Sequence, residues 1–143
     1  MGTFRHAGLT VSNKDEYCQL LVNVLGFEKV WDEFESGDYI NKFNGEVVDR
    51  VNTVKFKDSN GAMVELLCYE QNNSTYKIQS LRNQGITHLA LTITDMEEVI
   101  GKLDSKWLRL VHEPLVVPAG TVKVCFVEDI KNGLFFELVE ELK

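Results

Sequence analysis

Residues 6–17 read HAGLTVSNKDEY, and residues 88–99 read HLALTITDMEEV. Both stretches begin with His, continue to a Leu-Thr pair and place a Glu near their end. A second match follows, because NGAMVEL at 60–66 returns as NGLFFEL at 132–138. Since the matches occur in the same order in both halves, the sequence predicts a duplicated chain. Each half then carries a His early and a Glu late.

The first half reads as strand, helix and three further strands. Residues 4–11 alternate as a strand does, and Ser12 and Asn13 can cap a following helix. The apolar face predicted for that helix is spaced at i, i+3, i+4 and i+7: Cys18, Leu21, Val22 and Leu25. Gly26 is predicted to end it. Strands are predicted near 27–35, 49–57 and 62–69, and the polar stretch 36–48 is predicted to be a loop.

The second half repeats this pattern. Thr94 and Asp95 precede a helix with the same apolar spacing, and strands are predicted near 107–111, 121–128 and 134–140. The predicted fold class is therefore α+β, with two tandem β-α-β-β-β modules that form a curved mixed sheet. Module 1 is placed at 1–70, a linker at 71–84 and module 2 at 85–143, together making a single domain over 1–143.

Composition limits the classes of partner. The 143 residues are 44% hydrophobic and 26% charged, which is typical of a globular chain. The net charge of −7, without a Lys/Arg cluster, disfavours nucleic acid and anionic membranes. No signal peptide or apolar span is predicted, and the three cysteines fit a reducing compartment. We expect a cytoplasmic protein whose partner is a small molecule.

Strand alternation predicts that the two His and two Glu share one concave face, a cup. Residues that pack beneath the helices leave His6 and Glu65 on the other face of module 1, and His88 and Glu137 on that of module 2. Both glutamates stand among apolar residues, where an unpaired carboxylate is costly. A divalent cation removes that cost. Two imidazoles and two carboxylates suit Ni, Co or Zn, and also Fe or Mn.

Other residues on the predicted cup face are candidate substrate contacts: Thr10, Lys55, Tyr69, Thr92, Lys123 and Cys125. Lys55 and Lys123 could attract a carboxylate or phosphate. The third histidine, His112, has no counterpart in the repeat and is interpreted as a surface or loop residue.

The paired arrangement, with LGFEKV, GITHLALTI and GTVKVCFVEDIKNGLFFELVEEL as its most informative stretches, resembles the vicinal oxygen chelate superfamily. That superfamily includes glyoxalase I (lactoylglutathione lyase), methylmalonyl-CoA epimerase, extradiol dioxygenases, fosfomycin-resistance enzymes and bleomycin-binding proteins. The resemblance implies a metal held by His6, Glu65, His88 and Glu137, the ligand pattern of glyoxalase I.

The same resemblance implies the chemistry. It suggests a metal-dependent lyase or isomerase that acts through an enediolate on a small α-hydroxycarbonyl or a thiol adduct of a 2-oxoaldehyde. Glu137 is the first candidate base and Glu65 the second. Thr10 stands where bacterial glyoxalases commonly carry an Arg that holds glutathione, so the thiol is left open. An epimerase, a metal-dependent dioxygenase or thiol transferase, and a non-catalytic resistance-type binding protein remain alternatives.

Open sheet edges at the two modules also predict assembly, because unpaired strands readily join another chain. We expect a homodimer. Whether one cup forms within a chain or from modules of two chains is left open by the sequence.

Overall fold

The computed structural model describes residues 1–71 and 80–143. The chain divides into two compact units, Met1–Ser74 and Thr75–Lys143. Most of the predicted linker 71–84 lies outside the described residues.

The first unit contains a four-stranded mixed sheet. Its elements are β1 (Ala7–Thr10), α1 (Lys14–Cys18) with a π-helical continuation (Gln19–Val24), β2 (Glu28–Glu35), α2 (Asp38–Asn44), β3 (Val51–Lys57) and β4 (Met63–Tyr69). The strand order is β1-β4-β3-β2. Strands β1 and β4 are parallel, whereas β3 is antiparallel to both of its neighbours.

The second unit contains a five-stranded sheet of the same kind. Its elements are β5 (His88–Ile93), α3 (Met96–Gly101), β6 (Leu108–Leu110), β7 (Leu115–Val116), β8 (Val122–Asp129) and β9 (Leu134–Glu141). The order is β5-β9-β8-β6, with the short β7 also paired to β8. The Asp95 carboxylate caps α3 by accepting from the Glu98 amide at 2.9 Å. The predicted α+β fold with mixed sheets is confirmed.

The buried face of the first helix differs from the predicted one. Tyr17, Leu20 and Leu21 are buried, whereas Val22, predicted to pack inward, is 38% exposed. The reason is the π-helical continuation, in which the Leu25 amide bonds to the Leu20 carbonyl at 3.0 Å. Its wider turn shifts side chains away from the 3.6-residue spacing on which the prediction rested.

Helix α2 lies inside the stretch 36–48 that was predicted to be a loop, so that prediction is wrong. Gly37 (φ 89°) and Gly45 (φ 73°) bound the helix in conformations that other residues rarely adopt. Ile40 anchors it, since this side chain is buried. The sequence did not predict this helix, because its apolar residues extend over only one turn and stand among asparagines and charged residues.

Among the described residues, no helix is long and apolar enough to cross a membrane.

Candidate metal centre and ligand cavity

In the first unit, strand register brings His6 and Glu65 to one face. Glu65 on β4 stands beside Gly8 on β1, and His6 precedes Gly8 by one alternation of the strand. The Nε2 atom of His6 lies 3.6 Å from Oε1 of Glu65, whose side chain is 13% exposed. The Nδ1 atom of His6 is buried without a hydrogen-bond partner among the described residues.

The second unit repeats this pair. Glu137 on β9 stands beside Ala90 on β5, and His88 begins β5. The Nε2 atom of His88 lies 3.3 Å from Oε2 of Glu137, whose side chain is 25% exposed. Nδ1 of His88 is 2.9 Å from the Thr87 hydroxyl, which fixes the ring so that Nε2 faces the carboxylate.

The donor types of each pair, an imidazole and a carboxylate, suit a divalent cation. Both imidazole–carboxylate distances exceed the usual hydrogen-bond range of about 2.7–3.2 Å. Two ligands of one cation stand about 3.0–3.4 Å apart when each bond is about 2.1 Å long. The His88–Glu137 distance of 3.3 Å lies within this range, and the His6–Glu65 distance of 3.6 Å lies slightly beyond it. In the described part of the chain, no group of three or more His, Cys, Asp or Glu side chains converges. The structure therefore brings the four predicted ligands together as two pairs, one in each unit.

The two glutamates have different neighbours. On β3, Lys55 pairs with Glu65, and its Nζ lies 3.5 Å from Oε2 of that carboxylate. On β8, the equivalent partner of Glu137 is Phe126, whose ring stands edge-on to His88 at 5.1 Å between centroids. One carboxylate thus has an ammonium group beside it, and the other has an aromatic ring.

A cavity of about 330 Å³ lies in the first unit, over the His6–Glu65 pair. Its lining comes from the sheet and from α2: His6, Glu35, Tyr39, Ile40, Phe43, Asn44, Val51, Thr53, Lys55, Glu65, Leu67 and Tyr69. This volume is at the lower end of the range for small-molecule sites.

Tyr69 ties α2 to the sheet at one end of this cavity. Its hydroxyl donates to Oδ1 of Asn44 at 2.6 Å. Burial raises the pKa of Tyr69, and the carboxylates of Glu46 and Glu65 add to that effect. Because the phenol stays protonated at neutral pH, it can keep donating to α2.

A model of the Glyoxalase/Bleomycin resistance protein/Dioxygenase superfamily matches residues 5–126. The chain belongs to this superfamily. The resemblance stated from the sequence is confirmed.

Several known proteins are similar to this glyoxalase-superfamily chain in sequence or in fold. It is 26% identical over 136 residues to a probable lactoylglutathione lyase of Synechocystis sp., covering 94% of this chain and 92% of that one. A glyoxalase family protein from Bacillus cereus has a TM-score of 0.87 at 16% identity, covering 100% and 96% of the two chains. A fosfomycin resistance protein from Listeria monocytogenes, solved with Mn(II) and a dihydroxypropylphosphonic acid, has a TM-score of 0.63 at 13% identity, covering 99% and 92%. The two structures show the shared fold.

Four of the predicted substrate contacts lie on the cup faces. Lys55 and Tyr69 line the cavity of the first unit. Thr10 shares their face, since it pairs with Leu67, but it is not among the described lining residues. Thr92 lies on the Glu137 face of the second unit, where it pairs with Val139.

The prediction that Lys123 and Cys125 face the cup is wrong. Lys123 pairs with Glu140 and Cys125 with Leu138, so both point to the face opposite Glu137. The Lys123 ammonium lies 3.6 Å from the Glu140 carboxylate. Cys125 is fully buried, and its thiol donates to the His112 carbonyl at 3.1 Å.

The cysteines have the character of packed thiols. Burial raises the pKa of Cys18 and of Cys125, and it raises that of Cys68 to about 11. A thiol with a raised pKa is a poor nucleophile and a poor metal ligand at neutral pH.

The sequence analysis did not predict the contribution of α2 or of two residues beside His88. Tyr39 and Phe43 stand one helical turn apart between two glycines, a signal that could have revealed the helix. Thr87 directly precedes His88, but only the structure shows its contact with the ring. The position of Phe126 beside His88 could not be predicted, because apolar residues occur on both faces of β8.

Proposed function

We propose that this protein is a divalent-metal-dependent lyase or isomerase of the lactoylglutathione lyase type. It acts through an enediolate on a small α-hydroxycarbonyl or on a thiol adduct of a 2-oxoaldehyde. The observation that carries the proposal is the repetition of one His–Glu pair at equivalent register positions in the two units, His6–Glu65 and His88–Glu137. The Synechocystis relative, named a probable lactoylglutathione lyase, supports the same reaction class.

In this proposal, His6, Glu65, His88 and Glu137 hold one divalent ion, with Ni, Co or Zn favoured and Mn or Fe accepted. The donor types of both pairs and the 3.3 Å spacing of the His88–Glu137 pair support that assignment. When bound, the cation supplies positive charge that stabilises the anion formed when a proton leaves carbon beside a carbonyl. His88 is held in orientation by the Thr87 hydroxyl.

Glu137 is the proposed base. Its carboxylate takes a proton from the substrate carbon beside the carbonyl and returns it to the neighbouring carbon, so the enzyme ends in its starting state. Phe126 on β8 stands beside Glu137 and places an aromatic ring, without charge, next to this carboxylate. Glu65 is the less suited of the two carboxylates, because Lys55 is already paired with it.

Metal binding is the first prediction. Protein reconstituted with Ni, Co, Zn or Mn should retain close to one equivalent of cation for each set of four ligands. The variants His6→Ala and His88→Ala should bind it about tenfold or more weakly, because each removes one imidazole ligand. His112→Ala is the matched control, since that ring is outside the proposed set. Elemental analysis after dialysis measures the outcome.

Equally negligible metal in the wild-type protein and in all variants would contradict the site. If metal binds, turnover of methylglyoxal with a panel of thiols tests the reaction itself. Oxygen consumption would instead indicate a dioxygenase, and addition of a thiol to an epoxide would indicate a transferase. Epimerisation of an acyl-CoA would indicate the epimerase, and ligand binding unaffected by chelation would indicate a sequestering protein.

A further inference from the structure

The duplicated halves differ most clearly beside the two glutamates. In the first unit the strand next to Glu65 supplies Lys55, whereas the strand next to Glu137 supplies Phe126. Since register and face are the same, packing alone does not demand a cation at this position. The difference therefore points to a role for the charge of Lys55.

Lys55 is placed to meet a ligand. Its side chain lines the cavity of the first unit and is partly exposed there. The ammonium lies 5.8 Å from the centroid of the Trp31 ring, which helps to hold it over the sheet. Its anionic neighbour at 3.5 Å is Glu65, one of the proposed metal ligands.

Glu65 cannot serve two cations equally. A carboxylate committed to a divalent ion has less charge to offer to a neighbouring ammonium group. Lys55 would then be left partly buried with an unsatisfied charge, and such a group favours a new anionic partner. The rest of the lining is mixed: it includes the apolar Leu67, Ile40 and Phe43, and one further carboxylate, that of Glu35.

We propose that the ligand of this cavity is a small molecule that carries an oxyanion, a carboxylate or a phosphoryl group, on an apolar body. Lys55 binds the oxyanion, and α2 covers the apolar body. The inference rests on the proposed function, because metal binding by Glu65 is what releases Lys55. It adds a substrate class and a specificity-determining residue to that function.

The test removes the negative charge of Glu65 by substitution, so that Lys55 is released without any metal being added. In metal-free Glu65→Gln protein, Lys55 loses its ion-pair partner while the side chain keeps its shape. Inorganic phosphate and benzoate are titrated separately and followed by amide NMR shifts. We expect at least one of them to bind about tenfold more tightly to Glu65→Gln than to metal-free wild type. The probe that gains affinity distinguishes a phosphoryl group from a carboxylate.

A second substitution assigns the gain to Lys55. Glu65→Gln with Lys55→Met should lose the added affinity, whereas Glu65→Gln with Lys57→Met should keep it. Lys57 is the matched control, because it lies on the same strand and is exposed. Thermal unfolding establishes that each double variant folds, and Lys55→Gln replaces Lys55→Met if the latter does not.

The proposal is overturned if Glu65→Gln binds neither probe more tightly than wild type. It is also overturned if the Lys55 double variant binds as tightly as Glu65→Gln alone. Both readouts are made without metal and without turnover. A failure of the metal analysis would therefore contradict the proposed function separately from this inference.

Discussion

At the scale of single residues, Glu65 and Glu137 show how one duplicated position can acquire two roles. Glu65 has a histidine on one side and the Lys55 ammonium on the other. Glu137 has His88 and the ring of Phe126. In this proposal both carboxylates face the same divalent ion, but only Glu65 also has an ammonium group beside it, so Glu137 is the better candidate to accept a proton.

This difference gives a prediction for turnover. Glu137→Gln keeps the size of the side chain and one oxygen ligand but removes basicity. We expect it to retain part of its metal and to lose about a hundredfold in turnover. Glu65→Gln should have a milder effect and is the matched comparison. The measurement is turnover per bound metal on whichever 2-oxoaldehyde adduct or α-hydroxycarbonyl proves to be the substrate.

The reverse result, an active Glu137→Gln protein beside an inactive Glu65→Gln protein, would exchange the two roles. Full activity in both variants would remove the carboxylate mechanism altogether.

Side-chain direction could be predicted for some residues and not for others, for a physical reason. His6 directly precedes β1 and Glu65 lies in β4, and the helix-facing positions of both strands are apolar, so period-two alternation determines their face. Strand β8 has apolar side chains on both faces, which leaves its direction ambiguous. A shift of one residue reverses every side chain, and this is how Lys123 and Cys125 were misplaced.

At the scale of elements, one carboxylate links the first helix to the sheet. Asp32 on β2 accepts a hydrogen bond from the Asn52 amide of β3 at 2.9 Å. Lys14 of α1 and Lys29 of β2 both lie 3.2 Å from the same carboxylate. The hydrogen bond from Asn52 is the main reason that the pKa of Asp32 falls below its ordinary value of 3.8.

This linkage predicts an acid-dependent loss of stability. A lowered folded pKa means that the carboxylate stabilises the fold above pH 3.8, and that this contribution is lost as pH falls through the folded pKa. Asp32→Asn should cost about 1 kcal/mol near neutral pH, a figure reduced for solvent screening. The difference in the free energy of unfolding between Asp32→Asn and the wild-type protein should become smaller in acid.

Urea unfolding at about pH 7 and at about pH 3 measures this difference. Glu33→Gln, on the next and exposed position of β2, is the control and should change stability little at either pH. A deficit of Asp32→Asn that is the same at both values would contradict the role of the Asp32 charge.

Elements also differed in how well they could be predicted. The sheets and α3 follow from alternation, a capping Asp and turn glycines, all of them local signals. Helix α2 spans only residues Asp38–Asn44. Its stability depends on the burial of Ile40 and on the Tyr69–Asn44 hydrogen bond. Tertiary contacts of this kind are not visible in a short polar segment.

At the scale of the whole molecule, the edge strand β2 of the four-stranded sheet is a candidate site of association with a second chain. Strand β2 is the last in the order β1-β4-β3-β2, and most of its side chains are exposed. Val30, Trp31 and Phe34 are exposed apolar residues on this strand. An edge with unpaired backbone groups and apolar side chains favours association, which a charge on the edge would oppose.

We therefore predict a homodimer in solution that depends on this edge. Sedimentation should show a species of about twice the 16.3 kDa chain mass at micromolar concentration. Val30→Lys should weaken dimerisation about tenfold or more, because it places a charge on the edge strand. Val22→Lys, a similarly exposed valine on the first helix, is the matched control (38% exposed, against 43% for Val30). A wild-type protein that sediments only at 16.3 kDa would contradict the dimer, and equal effects of the two substitutions would exclude β2 as its contact.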